Sequence, residues 1–224
     1  RFSPSGKRQS LAGAADADGN SRWSLEDVDF DGYPELVARA SVGMVNEAVA
    51  VYRFDPGSAS YRALQAETHG NDSCVDLMGL SVDAKTRTLT SSCRSGPMWY
   101  TDQYRFAGAK LYLYRGERLL MLGGTLNAAL HWVQTDDQGP LAVWRTYDPA
   151  GHGLESAIAD GLGVPPEGPL RGQQASVLAA RVFLFDRPGA SSTKRYLVQG
   201  DRVEMLDEQD GWMKLRYRNP KQGV

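Results

Sequence analysis

The stretch WYTDQYRFAGAKLYLY, residues 99–114, decides the fold class. Tyr100, Asp102, Tyr104 and Phe106 alternate onto one face of an extended segment, Ala107-Gly108-Ala109-Lys110 makes a turn, and Leu111-Tyr112-Leu113-Tyr114 carries the chain back. Period-two patterning on both sides of a Gly turn predicts a β-hairpin. Moving outward, 36–42, 48–54, 86–91 and 141–147 are alternating or continuous apolar runs of strand length, bounded by turn residues. No helix-length segment separates them regularly, so an antiparallel, all-β meander is expected. One short helix is expected at Leu154 to Leu162.

Composition supports this reading. At 224 residues, 42% apolar and 23% charged, the chain is long enough for one large or two small folded domains. Its 24 glycines and 11 prolines predict many turns without collagen-like repetition. The 25 Lys and Arg are scattered against 27 Asp and Glu, a net charge of -2, so a nucleic-acid partner is not expected. Nor does any apolar run approach the roughly 18–20 residues of a membrane span. The chain begins at Arg1 and not at Met, so a trimmed start is expected, whether by signal-peptide removal or otherwise, and export is not read from it directly.

A shift occurs at Gly161 to Gly172, where three prolines and four glycines predict a linker. The expected organisation is a first domain over 1–160, a linker over 161–174 and a small domain over 175–224. Short strands are expected in the last at 177–185, 196–198, 202–206 and 212–217.

The sharpest motif is Asp27-Val28-Asp29-Phe30-Asp31-Gly32-Tyr33-Pro34-Glu35. Carboxylates at relative positions 1, 3 and 5, glycine at 6, a backbone carbonyl at 7 and a carboxylate at 9 match an oxygen shell for Ca²⁺. The predicted ligands are Asp27, Asp29, Asp31, the Tyr33 carbonyl and Glu35. The glutamate that a helix-loop-helix calcium hand carries at position 12 is absent, and 36–42 reads as a strand. The expectation is therefore a strand-loop-strand calcium loop, against the plainer alternative of a solvated acidic turn.

Cys74 and Cys93 stand 19 positions apart and can close one loop, a bond worth about 3 kcal/mol if oxidised. Two separate buried thiols is the alternative. Catalytic patterns are not legible: His69, His131 and His152 are dispersed, and GxSxG, HExxH, CxxC and phosphate-cradling glycine loops are missing. The chain is expected not to be an enzyme. Asp72 and Asp76, flanking Cys74, read as a solvated loop. Met98-Trp99, following Ser95-Gly96-Pro97, has the composition of an interface anchor.

The DxDxDG loop followed by a strand resembles the calcium loop of FG-GAP repeats, the blades of integrin-type β-propellers. Ser95-Gly96, Trp99-Tyr100 and Tyr104-Arg105-Phe106, within Lys85 to Tyr114, resemble a bacterial family of periplasmic, propeller-like partners and inhibitors of secreted lysozyme-type toxins. Lys194 to Leu206 and Asp210-Gly211-Trp212-Met213-Lys214-Leu215 resemble the strands and Gly-Trp hairpin of a bacterial SH3 domain, without its closing strand. These resemblances imply a propeller-like or meander domain with structural Ca²⁺ followed by a small SH3-like barrel. They further imply a periplasmic immunity protein that occludes a secreted peptidoglycan hydrolase of lysozyme or amidase type. The alternative is a non-catalytic module that binds peptidoglycan. In the periplasm the two cysteines would be joined.

Overall fold

The turn at 107–110 forms as expected, with Ala107 opposite Lys110 and a bulge between Gln103 and Tyr104. The computed structural model describes residues 8–136 and 138–219. The first nine strands are β1 (Arg22–Glu26), β2 (Glu35–Val42), β3 (Asn46–Asp55), β4 (Ser60–Ala63), β5 (Ala66–Glu67), β6 (Ser81–Asp83), β7 (Thr88–Ser95), β8 (Met98–Ala107) and β9 (Lys110–Leu119). After α1 (Gly124–Ala129) come β10 (Leu130–His131), β11 (Leu141–Tyr147), β12 (Gly153–Asp160), β13 (Gln174–Val177), β14 (Arg181–Leu184), β15 (Arg195–Val198), β16 (Arg202–Gln209) and β17 (Trp212–Tyr217). The fold is all-β, built from antiparallel meanders.

The chain divides into two compact units, one running to Gly116 and including Tyr147–His152, the other comprising Glu117–Thr146 and the residues from Gly153 onward. In unit 1, β1-β2-β3-β4 form one antiparallel sheet, and β6, β7, β8 and β9 pair antiparallel in sequence while β5 pairs parallel with β9. Alternation explains the inward faces: Leu89, Ser91 and Cys93 of β7 are buried, with Thr90 and Ser92 between them less so. Val37, Val51, Leu77, Leu89 and Leu111 belong to the unit 1 core.

Residues 77–79 bridge the two sheets. Val49 N donates to Leu77 O (3.0 Å) and Gly79 N to Glu47 O (2.8 Å) on β3, while Ser92 N of β7 donates to Met78 O (2.8 Å). Ser91 Oγ adds a bond to Met78 O and receives one from Met78 N. The approach is close enough that a Cβ on Gly79 would lie 2.7 Å from Ser92 O, at a positive φ of 47°. Only glycine fits there.

The preceding loop is held from below. Asp102 Oδ2 accepts the backbone N–H groups of both Ser73 and Cys74 at 2.8 Å. Burial, against these two bonds, pushes the Asp102 carboxyl up to about 6. Cys74 is disulfide-bonded to Cys93 on β7, with Cα atoms 5.8 Å apart.

In unit 2, β10-β13-β16-β17 form an antiparallel sheet, β14 and β15 a separate hairpin, and β11 and β12 neighbour each other. Val143, Ile158, Val177, Leu197 and Met205 fill its main core. The predicted helix at Leu154 to Leu162 is strand β12. Leu154, Ala157 and Ile158 have helical spacing, but the adjacent residues Ala157 and Ile158 point to opposite faces and are buried in different clusters, a placement that only a strand buried on both faces allows. A small helix occurs instead at α1. The predicted strand 177–185 is two strands, interrupted where Leu178 N donates to Ala129 O.

Residues 161–174, expected as a linker, lie within unit 2. Gly161 N bonds Pro140 O, Gln173 N bonds Ile158 O, and Gly172 N bonds Glu204 Oε1. The strands of 175–219 pair with β10 from earlier in the chain, and among the described residues they do not close into a barrel. Gly223 and Val224, where an SH3-like domain lacks its closing strand, are outside the described residues.

Replacing Cys93 with Ser should destabilise unit 1 by about 3 kcal/mol, the loop-closure contribution for this separation. Denaturant melts of the variant beside the oxidised wild type measure it, and a reduced wild type should match the variant.

Candidate metal centre

The acidic loop joins β1 to β2, whose register places Glu26 opposite Glu35. Local bonds account for its curl. Asp31 N donates to Asp29 Oδ1 (3.2 Å), Tyr33 N to Asp31 Oδ1 (2.7 Å) and Gly32 N to Asp27 Oδ2 (3.2 Å). Gly32 has a φ of 89°, where side chains are disfavoured. Phe30 also takes a positive φ, 63°, a conformation uncommon outside glycine. Its ring meets Phe106 edge-on at 6.4 Å and lies under the Arg87 guanidinium, so apolar and cation–π contacts offset the backbone strain.

Asp27, Asp29 and Glu35 each bring a carboxylate oxygen into one group, all within 4.8 Å of one another. Asp27 is exposed, whereas Asp29 and Glu35 are buried. Glu35 Oε2 accepts the N–H groups of Val28 (2.8 Å) and Asp29 (3.3 Å). Its pKa is raised, chiefly by burial and further by the Asp29 and Asp31 charges, with the backbone bonds opposing. Asp29 Oδ2 forms an ion pair with the Arg53 guanidinium. Glu26 is engaged elsewhere: Arg39 binds it at 2.8 Å and lowers its pKa.

This donor set fits a hard cation. It consists of oxygen only and concentrates carboxylates in one turn, with Asp29 Oδ2 shared with the Arg53 guanidinium. The structure thus groups three of the five predicted ligands. Asp31 serves as the acceptor for Tyr33 N and stands outside the triad, and the Tyr33 side chain points to solvent at 77% exposure. The earlier Asp16-to-Asn20 segment is a turn in which Asp16 Oδ1 accepts Asp18 N and Asn20 N.

Met98 and Trp99 start β8 directly after the two-residue Gly96-Pro97 turn, with Ser95 opposite Met98 and Arg94 opposite Trp99. Trp99 is 39% exposed and Met98 partly buried. The Cys74–Cys93 bond lies two pairs down the same hairpin from its tip, since Cys93 pairs with Tyr100. His152 Nδ1 sits 3.0 Å from Asp148 Oδ2 on the surface.

The sign of the Glu35 shift sets a pH dependence. A carboxyl whose folded pKa lies above its ordinary 4.5 holds its proton more tightly when folded, so its contribution to stability falls as pH rises through that range. In EDTA, Glu35→Gln should flatten the decline in melting temperature between about pH 4.5 and the raised value, as followed by circular dichroism across buffers.

No family model, curated protein or solved structure matches the chain.

Proposed function

We propose that the chain is a periplasmic, calcium-stabilised inhibitor of a peptidoglycan hydrolase of lysozyme or amidase type. Ca²⁺ is the cation assigned to Asp27, Asp29 and Glu35, with Asp31 and the Tyr33 carbonyl as further oxygen donors from the same loop. Its role is structural: neutralising repelling carboxylates stiffens the β1–β2 connection. A stiff partner loses less freedom on docking. The disulfide fits an oxidising compartment outside the cytoplasm. Among the described residues no helix is long and apolar enough to cross a membrane.

The observation that carries the inhibitor reading is the β7–β8 hairpin: a large aromatic side chain, Trp99, is partly exposed at the tip of a ribbon cross-linked by Cys74–Cys93. A rigid ribbon tipped by an indole is suited to entering a substrate cleft. Inhibition by occlusion requires no catalytic group on this chain.

A peptidoglycan-binding module is the second reading, and the β14–β15 hairpin favours it. Phe183 and Tyr196 pair directly across the strands and are 53% and 46% exposed. The exposed Phe183 ring, beside a Tyr196 ring carrying the Arg181 guanidinium over one face, is suited to contact a glycan or stem peptide.

Two measurements test these assignments. Saturating Ca²⁺ at about a hundredfold its Kd should add about 2.7 kcal/mol, raising the melting temperature by about 5–10 °C over EDTA. Asp27→Asn, at an exposed position, should abolish that shift while leaving the EDTA melt nearly unchanged. In a peptidoglycan-hydrolysis assay, a stoichiometric amount of the chain should suppress the target hydrolase, and Trp99→Ala should weaken suppression at least tenfold. Undiminished hydrolysis combined with sedimentation on purified sacculi would establish the wall-binding reading instead.

A further inference from the structure

Unit 1 contains a cavity of about 460 Å³, lined on one side by β3 and on another by the loop after β5. Val49, Val51, Leu64 and Leu77 give it aliphatic walls, and Asp72 and Asp76 supply carboxylates. Among the described residues its lining includes no Lys, Arg or His. A volume of this size falls in the range of small-molecule sites.

Tyr104 also lines the cavity although only 1% of it is exposed. Among the described residues nothing hydrogen-bonds its hydroxyl. Burial, followed by the Asp102, Asp72 and Asp76 charges, raises the pKa of that hydroxyl, which marks the three carboxylates as its electrostatic neighbours. A buried hydroxyl without a partner is costly, and a ligand group facing it recovers that cost.

The acidic side of the cavity is preorganised. Asp102 holds Ser73 N and Cys74 N, the disulfide ties Cys74 to β7, and residues 77–79 are bonded to β3 and β7. Asp76 is held at a φ of 59° between these anchors. Strained backbone kept in place by its surroundings is characteristic of ligand clamps.

We propose that this cavity binds a primary ammonium carried on a short aliphatic chain. The ammonium donates to the Asp72 and Asp76 carboxylates and to the Tyr104 hydroxyl oxygen, and the chain lies along Val49, Val51 and Leu77. Both a free aliphatic amine and a lysine side chain on a peptide present this chemistry. The assignment is independent of the inhibitor reading and of the metal loop.

Calorimetry on the full, oxidised chain at 0.15 M salt tests it with three five-carbon probes that differ at the head group: n-pentylammonium, pentan-1-ol and pentanoate. Pentylammonium should bind at one site, with the alcohol and the acid at least tenfold weaker. Asp72→Asn and Asp76→Asn should each weaken it at least fivefold with unchanged melting temperatures, because asparagine tolerates the left-handed backbone at position 76. Tyr104→Phe should weaken it as well. Binding of Nα-acetyl-lysine-N-methylamide beside pentylammonium identifies a peptide-borne lysine as the source, and its failure beside pentylammonium identifies a free amine. Equal binding of pentan-1-ol, unchanged affinity in the Asp72→Asn/Asp76→Asn pair, or no binding by any probe overturns the proposal.

Discussion

In two loops of unit 1 a buried carboxylate accepts two successive backbone N–H groups: Glu35 takes those of Val28 and Asp29, and Asp102 takes those of Ser73 and Cys74. Each carboxylate comes from a strand and each N–H pair from a loop, so a strand residue sets the shape of an irregular segment. Buried loop backbone must find partners. A carboxylate can satisfy two donors with charge-assisted bonds, stronger than neutral ones. The opposing effect is desolvation, which raises the pKa of both acids.

Around these two anchors the remaining devices divide the work. Phe30 packing on Phe106 seats the acidic loop from within, and the Arg53 charge faces Asp29. In the other loop the disulfide and residues 77–79 extend the Asp102 anchor across to β3 and β7. One loop gathers carboxylates at the surface end of β1–β2, and the other lends Asp72 and Asp76 to a cavity. The same backbone tactic thereby positions two acidic sites of different character, one open to a hard ion and one walled by aliphatic side chains.

The acidic loop was readable because Asp27, Asp29 and Gly32 recur at spacings that the turn itself imposes. The hairpin at 99–114 was readable for a similar local reason, period-two alternation around a glycine turn. Asp31 shows what spacing leaves out: its Oδ1 also closes an Asx turn on Tyr33, a structural use that the pattern of carboxylates does not reveal. Asp72, Asp76 and Tyr104 meet only through tertiary packing, and an acidic pair beside a cysteine gives no local sign of a cavity. β12 was misread because burial on both faces of a strand erases alternation. The Pro- and Gly-rich 161–174 segment shows a different limit: its composition predicts irregular backbone, and irregular backbone can still be bonded into a unit, as Gly172 and Gln173 are.

The central claim is that buried carboxylates clamp the two loops, and residue-resolved amide hydrogen exchange at Val28, Asp29, Ser73 and Cys74 tests it most directly. At neutral pH all four amides should exchange far more slowly than in an unfolded chain, and Asp102→Ala should release Ser73 and Cys74 while leaving Val28 and Asp29 protected. Exchange of the four at unprotected rates in the wild type, or retained protection of Ser73 and Cys74 in the variant, would contradict it.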